Sequence, residues 1–479
     1  MPADLRNVLD PRYPDYVYAK DPLVPIYKSK TGRSKAATVL LGEWLKIDTA
    51  GGVLPDNTDS RVPVKFRGGR GFVPMDGLTR TRQLEMYFID VDQGDSVLIQ
   101  TPDDRRILVD GGEGDEALEF IENKYRLDKP DHFIDFDAVV ATHSDSDHVG
   151  GLIGVLEHPR IAVKRLYHNG LFRRTESSVD PGPRVGSPRR VSGIVDRPDE
   201  NETPGLRALM KRFARAIDKA EANLPVVVEK TRQATGRQVR IDLPDEGFIC
   251  RRLEQADQYL PPFDASHKHL AIEVLWPHAE TVEGVMSYPW YRSASHTVNG
   301  NSIVLRVVHG ANRVLLTGDL NEPSMEDLLH NLTATIDRPK QLAAEVYKAA
   351  HHGSQHFLLD FLRIVAPNAA VISSGDARLD AHGHPRAVLL GTITRYSKHP
   401  MPAVFSTELA ACYRKLSASE MRDFRESTGR LYERALKGIV HLRSDGKTLC
   451  LATVHGRKVA KGKTQHDQTV WKWDHWTQA

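Results

Sequence analysis

ATHSDSDHVGG, residues 141–151, places two histidines and two aspartates within six positions, directly after the apolar run FDAVV and directly before a glycine pair. A regular strand sends alternate side chains to opposite faces and a helix spreads them around its axis. Neither brings adjacent and alternate positions to one point, but a bend at a strand end does. His143 and Asp145 can then serve one ion, and Asp147 and His148 a second close by. Imidazole and carboxylate donors suit zinc, iron or manganese.

The same theme recurs at other strand ends. ILVDGG ends at Asp110, LLTGD at Asp319, YKAAHHGS at His351 and His352, and AHGHP, after the VISSG strand, offers His384. A single aspartate after a strand is an ordinary turn former. Five apolar runs, each ending in a metal-capable or orienting residue, describe a ligand site beyond one edge of a layered α/β sheet.

The chain has 479 residues, 27% charged and 40% hydrophobic, with a net charge of +2. That length accommodates a large core and an accessory module, and the charge neither demands nor excludes an anionic partner. Three widely spaced cysteines, Cys250, Cys412 and Cys450, argue against a disulfide framework. The first residues, MPADLRNVLDPRYPDY, lack the apolar core of a signal peptide, and no apolar run approaches a membrane span. These features predict a cytoplasmic protein with no membrane partner; nothing in them sets the oligomeric state.

Residues 1–82 read as a small all-β barrel of short runs broken by glycine, proline and asparagine. With Trp44 and the GRGFVP turn, this stretch loosely resembles bacterial Src-homology-type barrels, which makes it a folding or docking appendage, with a protein partner, or a module that binds a peptide or ligand. Residues 83–456 carry the α/β pattern. They are interrupted at about 168–265 by an insertion that begins rich in proline, glycine and arginine. Arg173, Arg174, Arg184, Arg189 and Arg190 there make either a phosphate-tracking surface or a solvated loop diluted by acids. The insertion leads into a helix with Thr203 as N-cap and Pro204 as its first residue. Residues 457–479 form a basic, tryptophan-rich tail.

From about 84 to 455 the chain resembles the metallo-β-lactamase superfamily, and within it the hydrolase domain of ComEC-type competence proteins. The likeness rests on FIDVDQGDSVLI, ILVDGG, ATHSDSDHVGG, NGNSIVLRV, LLTGD, YKAAHHGS, ISSG with GHP, and Ser406–Thr407, in that order. It implies an αββα sandwich with a dinuclear site of two divalent ions, zinc or manganese, with iron a third option. His143, Asp145, Asp147 and His148 would form the first ligand group, with Asp319 bridging the ions. Of the histidine pair, His351 is favoured as ligand, with His352 nearer substrate. Asp110 would orient the ligand loop, and His384, Lys348, Asn299, Asn301 and Ser354 would contact substrate. Asp145 stands where the family usually has histidine, which shifts preference toward manganese or iron. The missing third histidine has only His168 and His296 as substitutes, and both read as plain loop residues.

The expected chemistry is attack on phosphorus by a bound hydroxide, since two ions lower the pKa of water from 15.7 to about 7. Asp147 shares in catalysis, Lys348 offsets charge on the phosphoryl oxygens, and His384 or His352 protonates the leaving oxygen. The resemblance makes a phosphodiester substrate, DNA foremost, the first reading. Hydrolysis of a lactone, thioester or β-lactam, or of a phosphodiester outside nucleic acid, is the alternative. A degenerate site serving only for binding is a third.

Overall fold

The computed structural model describes residues 9, 13, 15–49, 60–66, 69–174, 180–199, 201–235, 243–245, 247–332, 341–375, 383–407, 412–413, 432–434, 438–455 and 472–478. Two sheets dominate. One has nine strands, in the order Ile249–Arg252, Arg165–His168, Ala138–Ala141, Arg106–Val109, Val97–Gln100, Leu84–Phe88, Val440–Ser444, Leu449–His455 and Lys472–Gln478. The other has six, in the order Ala271–Trp276, Val304–His309, Asn312–Leu316, Val346–Lys348, Ala369–Ile372 and Ala403–Ser406.

Period-two alternation sets what each face buries. In the first sheet Val97, Ile99, Ile107, Val109, Ala138 and Val140 point inward, where they meet Ile272, Val274, Leu305, Val307, Val314 and Leu316 of the second. Their neighbours Leu98, Leu108 and Val139 point outward and are covered by helices Glu116–Tyr125, Ser146–Glu157 and Ala208–Thr235. Leu315, Tyr347, Ala370 and Ile372 face the other way, under helices Glu322–Leu332, Leu359–Val365 and Ala387–Tyr396. The result is helix, sheet, sheet, helix. Burial on both faces is why the strands Val97–Gln100, Ala138–Ala141 and Ala369–Ile372 are almost wholly apolar in sequence.

Four strands of the first sheet, Arg106–Val109, Ala138–Ala141, Arg165–His168 and Ile249–Arg252, run parallel. So do four of the second, Asn312–Leu316, Val346–Lys348, Ala369–Ile372 and Ala403–Ser406. Parallel strands end together, so the loops after them share one edge of the sandwich.

Residues 16–79 form a separate seven-stranded antiparallel sheet with its own core, including Val17, Ile26, Leu45, Val64 and Val73. Trp44 is turned toward the sandwich. Its indole donates to Glu85 Oε1 at 2.9 Å, and the Arg82 guanidinium lies 4.5 Å over its ring. Arg443 of the sandwich donates to Leu41 O and Glu43 Oε2 across the same boundary.

Two expectations for the insertion need correction. The helix begins at Ala208 rather than Pro204, because Leu206 bridges to Arg174 and Arg207 donates to Arg174 O. Thr203 instead bonds the Asp199 amide. The arginines also divide. Arg184 and Arg189 are exposed, Arg184 over the Trp290 ring, whereas Arg174 and Arg190 are buried against Gly193 O and Ser287 O. A run that reads as one solvated or phosphate-tracking surface is partly internal structure. The tail strand Lys472–Gln478 pairs with Leu449–His455; residues 456–471 and 479 lie outside the described residues.

The glycine pair after the ligand loop has a steric cause. A Cβ on Gly151 would lie 2.0 Å from Gly111 O, and one on Gly150 would lie 2.4 Å from Glu113 O. The helix therefore presses directly on the loop after Arg106–Val109. Gly151→Ala should cost about 1–3 kcal/mol through overpacking. Calorimetry would show this as a lower melting temperature, and an unchanged one would contradict the close approach.

Candidate metal centre

Asp319 follows strand Asn312–Leu316 and is 2% exposed. Nε2 atoms of four histidines lie within 4.0 Å of its carboxylate: His148 at 3.3 Å, His352 at 3.4 Å, His351 at 3.7 Å and His143 at 4.0 Å. Asp147 Oδ2 is 3.3 Å from His352 Nε2. Ligand atoms of Asp147, His148, Asp319 and His352 all lie within 4.8 Å of one another.

The chain holds these groups from behind. Asp110, in the left-handed region at φ 59°, accepts from the Thr142 amide and hydroxyl at 2.7 Å each and meets His148 Nδ1 at 2.8 Å. Anchoring Nδ1 turns Nε2 toward Asp319. His352 is anchored likewise, with Nδ1 3.1 Å from Ser373 O and 3.3 Å from Asp95 Oδ1. His143 Nδ1 lies 3.2 Å from both Thr142 Oγ1 and Ser302 Oγ. His351 and His352 adopt left-handed backbone at φ 49° and 53°, which costs about 1–3 kcal/mol per residue and is held by the surrounding turn.

The positions of the expected residues differ from the sequence reading in several ways. His352 Nε2 converges with Asp147, His148 and Asp319, while His351 Nε2 lies 3.7 Å from Asp319 Oδ2 on the more open side. The left-handed turn swings the first histidine outward, leaving its side chain 30% exposed with its ring 5.8 Å from that of His384. Lys348 is buried and ion-paired with Asp95. Asn301 is buried and donates to Pro289 O and Thr297 O, which closes the helix Ala294–Gly300. Ser354 is also buried, its Oγ accepting from the His356 amide. The Asn299 amide nitrogen, in the orientation its neighbours require, donates to Asp145 Oδ2 and Ser295 O at 2.9 Å. Asp145 Oδ1 accepts from Arg173 Nε and Nη2, both at 2.8 Å.

Two site residues escaped the sequence reading. Asp95 lies within the stretch FIDVDQGDSVLI, and its amide donates to Asp147 O at 3.2 Å because Gly94 lets the loop approach. The Gly-Asp pair between two apolar strands was the available signal. Arg173 had none beyond its arginine-rich surroundings.

The donor set fits a cation. His143 Nε2, His148 Nε2, His352 Nε2 and Asp319 Oδ1 are buried without a hydrogen-bond partner, all directed into the cluster. Buried polar atoms left this way are costly unless a ligand engages them. Burial opposes the charge of Asp319, but the His352, His148 and His351 imidazoles outweigh it and hold the carboxyl well below its usual range. Burial also opposes protonation of His148, yet Asp319, Asp110 and Asp147 raise it well above an ordinary histidine. The same contest, with Asp319 the largest opposing charge, raises His352. Burial and the neighbouring His148 keep His143 neutral.

Residues 89–232 match the family model of the metallo-beta-lactamase superfamily. ComE operon protein 3 of Bacillus subtilis (strain 168) is 24% identical over 331 residues, 65% of this chain and 31% of that protein. Competence protein ComA of Neisseria gonorrhoeae is 40% identical over 88 residues, 18% of this chain and 12% of that protein. The chain thus spans less than a third of the length of either relative. The similarity to a solved structure, CmlA, a diiron beta-hydroxylase from Streptomyces venezuelae, covers 69% of this chain and 54% of that one at 12% identity and a TM-score of 0.31. Among the described residues, no helix is long and apolar enough to cross a membrane.

A protonated imidazole cannot ligate, and the surrounding carboxylates favour protonation of His148 and His352, so binding of a divalent cation should release protons and weaken as pH falls. Calorimetry with manganese in buffers of different ionisation enthalpy reads this directly; pH-independent affinity without proton release would contradict it. Ordered motifs and matched segment agree: residues 89–232 carry a metallo-beta-lactamase superfamily domain, and parts of the chain are similar to two competence proteins.

Proposed function

We propose that the chain is a divalent-metal-dependent phosphodiesterase acting on nucleic acid, DNA foremost. The observation that carries this reading is the buried cluster of Asp147, His148, Asp319 and His352, whose ligand atoms converge with no hydrogen bond to satisfy several of them. The superfamily domain supports a hydrolase, and the likeness to two competence proteins favours the phosphodiester over the lactam class. Carboxylates supply two of the four converging ligands, which favours manganese or iron over zinc.

Bound divalent ions would supply an activated water and offset charge developing on the phosphoryl oxygens. The chain's residues do the rest. Asp319 holds the centre, with Asp147, His148 and His352 around it. Asp110 and Asp95 fix the two imidazoles from behind, and Lys348, expected at the substrate, instead balances the Asp95 charge. His351 and His384 stand at the rim, where a side chain can protonate a leaving oxygen. Its surroundings being buried, the cluster meets a substrate charge with little screening from water.

The test is to incubate the purified chain and manganese with single-stranded DNA, duplex DNA, RNA, a cyclic dinucleotide and a lactam. His143→Ala serves as control. DNA cleavage should vanish in EDTA. Asp319→Asn should cost more than the ~10–100-fold that loss of an orienting partner costs, with circular dichroism unchanged. Cleavage of the lactam alone, or full activity without metal, would overturn the proposal.

A further inference from the structure

We infer that the two halves of this centre hold cations unequally: Asp147, His148, Asp319 and His352 bind one ion tightly, while the half beside His143 binds weakly because Arg173 holds the carboxylate needed to complete it. This rests on the reading above that the cluster is a metal site.

The tight half is preassembled. Its four ligand atoms already converge, and both imidazoles are anchored on the far nitrogen by Asp110, Ser373 and Asp95. An arriving ion has little to reorganise.

The other half is different. His143 Nε2 lies 3.9 Å from Asp145 Oδ2 and 4.0 Å from Asp319 Oδ2. Asp145 is the only further ligand its own loop offers, and both its oxygens are taken: Oδ1 by two nitrogens of Arg173, Oδ2 by the Asn299 amide. A cation there must share its carboxylate with a guanidinium of like charge, or displace it. Displacement is opposed, because Arg173 also meets Asp180, whose Oδ2 is 3.5 Å from Nη1 and 2.6 Å from Arg207 Nη2. The ion chain Asp145–Arg173–Asp180–Arg207 thus ties the ligand loop to the insertion. Among the described residues, His351, whose Nε2 lies 3.7 Å from Asp319 Oδ2, is the further imidazole near this half, and it brings no carboxylate; His168 and His296 do not compensate. His168 Nδ1 accepts from the Gly170 amide and its ring packs on Phe172, while His296 contacts Ser293 and His356.

An arginine fits this role better than a lysine. Its planar fork engages a carboxylate through two nitrogens and stays charged at every working pH. The insertion therefore sets the occupancy of a site to which it contributes no ligand.

Manganese titration of the full chain by calorimetry, with electron paramagnetic resonance on the same samples, tests this without reference to activity. The wild type should bind one tight equivalent, with an uncoupled six-line spectrum, and a second equivalent weaker by about 100-fold, a difference of the size outer partners impose on metal affinity. Asp145→Asn should leave the tight equivalent within about threefold. Arg173→Met should strengthen the second equivalent by about tenfold or more, with spin coupling appearing below two equivalents. Arg173→Lys, which keeps the charge, should give a smaller gain. Two equivalents of like affinity in the wild type, one lost in Asp145→Asn, would overturn the inference and leave the metal site standing. So would two folded Arg173 variants that leave the second equivalent unchanged. A folded wild type binding no manganese would overturn both.

Discussion

A carboxylate almost sealed from water, Asp319, faces four imidazoles, and everything else at this edge of the sandwich serves that arrangement. An isolated charge in such a place costs many kilocalories per mole, so it persists only where opposite charge or a ligand meets it. The two sheets divide the task. The nine-stranded sheet brings Asp110 and the loop from His143 to His148; the six-stranded sheet brings Asp319 and the turn carrying His351 and His352. Their joint is stitched by Ile303 donating to Thr142 O at 2.9 Å and by Ser302, which meets both His143 Nδ1 and the Asp319 amide. Side-chain geometry at the centre is thereby inherited from the shared apolar core beneath it.

That dependence explains what the amino-acid sequence made legible. Strands buried on both faces leave short apolar runs, so Ala138–Ala141 and the last three residues of Asn312–Leu316 declare themselves, and polar residues just beyond their ends stand out. The sandwich and the convergence of His143, Asp147, His148, Asp319 and the histidine pair follow from that. Side-chain direction beyond a strand end is set by tertiary contacts, which no local pattern encodes. Whether His351 or His352 turns inward depends on a left-handed turn, and Lys348 reads as a substrate cation until Asp95 is found beside it. Arg173 was hidden for the same reason: an arginine among prolines and glycines looks solvated, yet two carboxylates from distant loops enclose it.

The antiparallel sheet of residues 16–79 is joined to the sandwich by polar groups as well as by Leu40 and Leu41 packing on Cys450 and Ala452. Glu85 lies at the centre of that boundary, taking the Trp44 indole and the Arg82 guanidinium. Burial opposes its charge, but Arg82 and His441 outweigh this and hold it well below the usual carboxylate range. Trp44, the residue that makes the sheet look like a peptide-binding barrel, is thus engaged by its own chain.

The most direct test of the central claim is crystallographic: crystals grown with manganese, and anomalous difference maps calculated from data collected at a wavelength where that metal scatters anomalously. The account predicts a strong peak within coordination distance of Asp147, His148, Asp319 and His352. Manganese bound elsewhere on the chain, with no anomalous density among those four side chains, would contradict it.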